Sequence, residues 1–230
     1  MNISIIIPTL NESKTIALLV SHLLLHSKSL VKEIIVVDGG SVDNTLQIAS
    51  NLGVIAVSSP EKGRAAQMNF GASLSTGDIL YFVHADTIPP IDFAQSILEK
   101  INDGYEAGRF RTCFDSNALL LFINAFFTRF DLFVCYGGDQ SLFIRSSVFT
   151  SLDGFNQSMV IMEDYDIVTR LKKIARYGII QKDILVSARK YELNSWWKVQ
   201  KANYTIVNMY RKGASQADMI LRYKKMLRFD

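Results

Sequence analysis

Two periodicities alternate along the first 90 residues. Ile3–Pro8 and Glu33–Asp38 are short apolar runs of the kind that form strands buried on both faces. Between them, Ile16, Leu19, Val20, Leu23 and Leu24 recur at helical spacing, which predicts a helix through about His26 capped by Asn11 or Ser13. Gly39-Gly40 ends the second strand. Ser41 or Asp43 then opens a helix to Leu52, followed by a strand over Val54–Ser58. A loop at Pro60–Gly63, a helix over Arg64–Ser75 and a strand over Asp78–His84, stopped by Thr87 and Pro89-Pro90, complete the pattern. Strand and helix alternating at this spacing predict an α/β fold, a mostly parallel central sheet with helices on both faces.

The second half is mixed. The pattern predicts strands over Ala107–Phe114, Gln140–Arg145 and Ile184–Arg189, and helices over Asn117–Val134 and Glu163–Tyr177. Residues 195–227 read as helical, with a break near Gly213. No repeat, low-complexity segment or long linker divides the chain.

Composition removes several classes. With 49% apolar residues, 20% charged residues and a net charge of +3, the chain is not intrinsically disordered. Cys113 and Cys135 are too few for a disulfide scaffold, and no CxxC or Cys/His cluster marks structural zinc. Met1 leads directly into Ile3–Ile7 with no basic leader. The longest greasy stretch, Ala118–Phe127, is too short to cross the roughly 30 Å bilayer core. The expectation is a soluble, cytoplasmic protein. Charge is unevenly placed, however: residues 198–230 hold eight basic and two acidic side chains, leaving the remainder net acidic. Such a tail suits a phosphate-rich partner or the inner face of a membrane, and equally a plain solvated helix face. No recognised motif accompanies it, so nucleic acid is not expected as a partner.

In open α/β sheets, ligands sit beyond the carboxyl ends of the strands. Here those places are Pro8–Glu12, Asp38–Ser41, Ser59–Arg64 and His84–Thr87. Acids gathered at strand ends repel phosphate unless a divalent cation intervenes, in which case hard oxygen ligands and a diphosphate share the metal. The G-x-G-x-x-G fingerprint is absent after the first strand, where Pro8-Thr9-Leu10-Asn11-Glu12 stands instead, and there is no Walker A pattern.

Five segments in register resemble the family 2 glycosyltransferases: Ser4–Glu12 (SIIIPTLNE), Val36–Thr45 (VVDGGSVDNT), Lys62–Ala72 (KGRAAQMNFGA), Asp78–Asp86 (DILYFVHAD) and Met162–Asp166 (MEDYD). The resemblance covers about residues 3–190, and the compact form with Tyr136–Gln140 (YGGDQ) is similar to a small bacterial subgroup. It implies the GT-A fold, with a catalytic domain over 1–190 and a basic helical extension over 191–230 packed on it. It also implies inverting transfer of a sugar from a nucleotide-diphosphate donor to an acceptor hydroxyl. Carried over residue by residue, Pro8, Thr9 and Glu12 shape the nucleotide loop and Asp38 contacts base or ribose. Gly63 and Arg64 cradle nucleotide or phosphate. Asp86 takes the last position of the family's Asp-X-Asp and is the expected ligand of Mn²⁺ or Mg²⁺. His84 replaces the first acid of that motif, which removes a negative charge, and is expected to stand behind the site. Asp164 matches the general base, with Glu163 orienting it or the acceptor.

From the residues themselves, Asp139 and Gln140 follow a Gly-Gly turn and suit acceptor or donor-sugar hydroxyls, while Arg189 suits the diphosphate. Asp166 stands four residues before Arg170, the spacing of a helical ion pair. Phe122, Phe126, Phe127, Phe130 and Phe133 are too many aromatics for one helical stripe. Core or a homodimer interface is the favoured reading, because Arg129 and Asp131 interrupt the run; a surface for a membrane or lipid-linked acceptor is the sharper one. Two other functions stay open: a non-catalytic sugar-nucleotide-binding or scaffold protein, and a nucleotidyltransferase.

Overall fold

Strand β1 (Ile3–Thr9) starts an alternation that continues through α1 (Ile16–His26), β2 (Val31–Asp38), α2 (Thr45–Asn51), β3 (Ile55–Ser58), α3 (Arg64–Leu74) and β4 (Ile79–Phe82). The computed structural model describes residues 1–137 and 141–228. Next come β5 (Thr87–Ile88), α4 (Phe93–Asn102), β6 (Ala107–Phe114), α5 (Leu119–Phe127), β7 (Leu142–Arg145) and α6 (Ser146–Ser151). The chain continues with α7 (Glu163–Leu171), β8 (Tyr177–Val186), α8 (Arg189–Leu193), α9 (Trp196–Arg211) and α10 (Gln216–Met226). Among the described residues the strands form one eight-stranded sheet in the order β3-β2-β1-β4-β7-β6-β8-β5. The β3-β2-β1-β4 half is parallel, β7 enters antiparallel between β4 and β6, and β6 pairs parallel with β8.

The apolar runs are continuous because both faces of the sheet are covered. Ile3, Ile5 and Ile7 of β1, Ile34 and Val36 of β2, and Ile79 and Tyr81 of β4 face α1 and α4, where Leu19, Leu23, Phe93 and Ile97 meet them. The alternate residues Ile6, Ile35, Val37, Leu80 and Phe82 face α3, α6 and α7, and Val207 of α9 joins that second core. Each fully buried isoleucine contributes roughly 1.5–3 kcal/mol. On the second face α3 lies close to the sheet: a Cβ added to Gly71 would stand 2.5 Å from Ile6 Cγ2 and 3.0 Å from Val37 Cγ2.

Strand order reverses beside β1, and there the sheet opens. The β1–β4 ladder stops at Ile6↔Phe82, while β1 stays paired with β2 through Thr9↔Asp38. Ile6 O accepts Val83 N, so Pro8, two residues on, turns its donorless nitrogen toward the side where that ladder has ended. The resulting crevice is the position at which open α/β sheets bind ligands.

Several boundaries differ from the sequence pattern. Neither Asn11 nor Ser13 caps α1, which starts after Thr15 with no side-chain cap; Asn11 instead adopts φ 56° and serves the loop. The helix expected over Asn117–Val134 ends at Phe127, and the one over Glu163–Tyr177 ends at Leu171 because Tyr177 begins β8. β8 runs only to Val186, leaving Arg189 to open α8. The break at Gly213, with φ +70°, separates α9 from α10. The core half of the core-or-interface reading is overturned along α5, where only Leu121 is buried and Phe122 is 68% exposed, while Phe133 beyond the helix packs on the second core.

Candidate functional site

The loops after β1 and β2 are zipped together beyond the sheet. Asn11 N donates to Ser41 Oγ (2.8 Å), Glu12 N to Thr45 Oγ1 (2.9 Å), Ser13 N to Asp43 Oδ2 (3.2 Å), and Val42 N back to Asn11 Oδ1 (2.9 Å). The Thr45 hydroxyl, then the bonds from Ser13 and the Thr45 amide, hold the Asp43 carboxyl down at about 2. Asp38, buried at the end of β2, accepts from Gly40 N (3.0 Å), Ser41 N (2.8 Å) and Ser41 Oγ (2.5 Å), with Thr9 Oγ1 at 3.3 Å. Its oxygens are thus committed to capping the Gly39-Gly40 turn, where Gly40 takes φ +98°. A ligand reaching Asp38 must displace one of these donors, of which Thr9 is the most distant.

Sequence reasoning passed over Gln67. This buried amide on α3 donates from Nε2 to both Thr9 O (2.8 Å) and Val37 O (2.8 Å), clamping the ends of β1 and β2. Its amide lies flat against Gly39, where a Cβ would stand 3.0 Å from three of its atoms. The only sequence signal was a lone polar residue among the apolar positions Ala65, Ala66 and Met68 of one helix.

Two charged clusters flank the opening. At the start of α3, Gly63 holds φ +115° and Arg64 Nη1 lies 3.2 Å from Oε1 of Glu163, which is buried at the start of α7. Glu163 therefore engages Arg64. His84 is half-buried after β4, where burial, and then the Arg64 guanidinium, push its imidazole down to about 3. Met162, immediately before Glu163, sits in the left-handed region at φ 70°, a conformation a β-carbon disfavours. On the other side, Arg189 Nη2 stands 3.1 Å from Glu12 Oε1 and 3.9 Å from Asp86 Oδ2. This meeting follows from β5. Its antiparallel pairing with β8, Thr87↔Val186, and the bond from Ser187 N to Asp86 O (3.1 Å) place the start of α8 beside Asp86.

Asp164 faces elsewhere than Glu163. It lines a small crevice with Arg109, Tyr136, Ser141, Leu142 and Tyr177. Asp166 pairs with Arg170 (2.7 Å) as the four-residue spacing predicts, and Arg170 also donates to Leu152 O and Gly154 O. Asp139 and Gln140 lie outside the described residues. No helix of the described residues is long and apolar enough to cross a membrane.

Among the described residues no three His, Cys, Asp or Glu side chains converge to cage a metal. The partly exposed Asp86 carboxylate is instead the donor type that suits Mg²⁺ or Mn²⁺ when phosphate oxygens complete the shell.

Comparison with known proteins agrees with this architecture. The mannosyltransferase PcManGT from Pyrobaculum calidifontis, solved with GDP-Man and Mn²⁺, superposes with a TM-score of 0.68 at 16% identity, over 98% of this chain and 69% of that one. S. aureus TarS 1–349, solved with UDP-GlcNAc, gives 0.67 at 18% identity, over 82% and 59% respectively. At such identities the likeness establishes the GT-A fold. The glucosyl-3-phosphoglycerate synthase of Mycolicibacterium smegmatis is 33% identical over 96 residues, which is 38% of this chain and 32% of that protein. The match thus spans about a third of that curated relative. The model of glycosyl transferase family 2 matches residues 4–143, from the start of β1 into β7, and by that match the chain belongs to glycosyl transferase family 2.

Proposed function

We propose that the chain transfers a glycosyl group from a nucleotide-diphosphate sugar to an acceptor hydroxyl, with inversion at the anomeric carbon. The observation that carries this reading is the Glu12–Arg189–Asp86 cluster at the crevice where strand order reverses. Nucleotide-sugar complexes of two proteins sharing this fold, with UDP-GlcNAc and with GDP-Man and Mn²⁺, support it.

In this reading Pro8, Thr9 and Glu12 shape the loop that receives the donor nucleotide, Gly63 and Arg64 cradle nucleotide or phosphate, His84 stands behind them, and Asp38 fixes the turn that receives base or ribose. Asp86 would hold a divalent cation, Mn²⁺ or Mg²⁺, which when bound neutralises the diphosphate. Arg189, already beside Asp86, turns to the diphosphate oxygens, a match for a planar guanidinium. The acceptor oxygen attacks the anomeric carbon as the bond from that carbon to the phosphate oxygen breaks. The nucleotide diphosphate leaves with the bonding electrons. The acceptor's proton passes to the Asp164 carboxylate, and Glu163, held by Arg64, fixes the first turn of α7. Asp139 and Gln140 bind acceptor or sugar hydroxyls.

The test is thermal stability with UDP, GDP, CDP and dTDP, with and without Mn²⁺ or Mg²⁺, followed by mass-spectrometric detection of donor turnover. A ligand at 100 times its Kd adds about 2.7 kcal/mol, which for a chain of this size raises the midpoint by about 5–10 °C. A metal-dependent shift with one nucleotide, together with turnover that Asp164→Asn abolishes while donor binding persists, is expected. A nucleotide shift with no turnover of any donor would favour a binding protein over a transferase. Full activity in Asp164→Asn would remove it as the base.

A further inference from the structure

The Phe-rich segment is mounted outward on a rigid support. Arg109, a fully buried guanidinium on β6, donates from Nη1 to Thr128 O (2.7 Å) and from Nη2 to Phe130 O (3.1 Å), fixing the carboxyl end of α5. Thr112 N donates to Thr128 Oγ1 (2.9 Å) at the same place. The face so held presents Leu119, Phe122, Ile123, Phe126, Phe127 and Phe130, all exposed. Apolar area of this extent on a structured element marks a contact surface.

Helix α9 lies next to α5 across α8. Tyr191 Oη is 3.5 Å from both Asn124 Nδ2 of α5 and Gln200 Nε2 of α9. Trp196 and Leu119–Leu121 wall one cavity of about 410 Å³. On α9, Trp197 (72% exposed), Lys201 and Tyr204 follow one another at four- and three-residue spacing and share a side, with Lys198 beside them. A cation also borders the aromatic face itself: the Arg129 guanidinium lies 4.1 Å from the Phe126 ring.

Exposed large apolar side chains interleaved with lysines and arginines match the two components of an interfacial contact, apolar insertion and attraction to anionic headgroups. A second copy seated on the same face would bury the exposed Lys198 and Lys201 of both copies in one contact, and lysine is depleted from protein–protein interfaces because its strongly hydrated charge resists desolvation. We propose that the α5 face and the outward side of α9 form one docking surface for an anionic phospholipid bilayer. The same α8 that carries Arg189 to Glu12 and Asp86 lends Tyr191 and Glu192 to the cavity beneath this face. A docked chain therefore holds the crevice near the headgroups. The inference stands on surface geometry and does not depend on the transferase reading.

The experiment is flotation of the full chain with phosphatidylcholine vesicles, pure or carrying about a third phosphatidylserine. Binding is expected to the mixed vesicles only, and to be lost at about 1 M salt, where charges are screened within about 3 Å. Phe122→Ser combined with Trp197→Ser lowers partitioning at least tenfold, and Lys198→Gln or Lys201→Gln about fivefold each. All four side chains are exposed, so circular dichroism and thermal midpoint stay those of the wild type. The proposal is overturned if the chain floats with neither vesicle, or if the Phe122→Ser/Trp197→Ser variant floats as the wild type does. It is equally overturned by a vesicle-free dimer that this double substitution dissociates, since the occupant would then be a second copy.

Discussion

Replacing Gln67 with leucine tests whether the floor of the crevice is held by one amide. The substitution keeps nearly the same volume but removes the two bonds from Nε2 to Thr9 O and Val37 O, each 2.8 Å. Thr9 O keeps the bond from Gly39 N at 2.9 Å, so that carbonyl is not orphaned. Two buried hydrogen bonds at about 0.5–1.5 kcal/mol apiece give an expected loss of about 1–3 kcal/mol. At about 2–4 °C per kcal/mol for a chain of this length, the midpoint falls by about 2–12 °C. Urea unfolding followed by tryptophan fluorescence reads the same loss as a lower midpoint with unchanged slope. Gln67→Glu sharpens the test. Its carboxylate is acceptor-only and faces two carbonyl oxygens, so burial there raises its pKa above the unfolded value of about 4.3. A raised folded-state pKa means that the variant approaches wild-type stability below about pH 4 and loses it as pH rises through the folded value. A Gln67→Leu midpoint equal to wild type, or a Gln67→Glu deficit independent of pH, refutes the clamp.

The other predictions concern the surrounding parts. Arg189→Ala removes the cation between Glu12 and Asp86 and should weaken nucleotide-diphosphate affinity about tenfold, with a smaller effect on the nucleoside alone, as titration calorimetry would show. Gly71→Ala gains about 1 kcal/mol in helix propensity but forces a Cβ to 2.5 Å from Ile6 Cγ2. A net loss of about 1–2 kcal/mol in urea unfolding is expected, and stabilisation would show that α3 rises freely off the sheet. Asp43, held at about 2, adds stability above the unfolded value of about 3.9 that disappears as pH falls toward 2. Asp43→Asn should therefore flatten the acid limb of the stability–pH curve, and an unchanged limb would place the acid sensitivity elsewhere.

What the sequence determined by itself is what neighbours along the chain decide. β1, β2 and β4 were legible because strands covered on both faces need apolar side chains at successive positions. The Gly39-Gly40 turn and the break at Gly213 were legible because positive φ favours glycine. The carboxyl-end loops followed from the alternation of strand and helix, and the five motifs in register identified the family. Tertiary structure alone decided three things. Arg189 reaches Asp86 only because the two-residue β5 pairs with β8, and so short a strand carries no periodic signal. Gln67 is a clamp only because α3 packs over the ends of β1 and β2, which a lone polar residue in a helix does not reveal. The aromatic run of α5 reads as core or a homodimer interface by composition and stands exposed, since burial depends on which other elements cover a face, and Arg109 fixes this one outward.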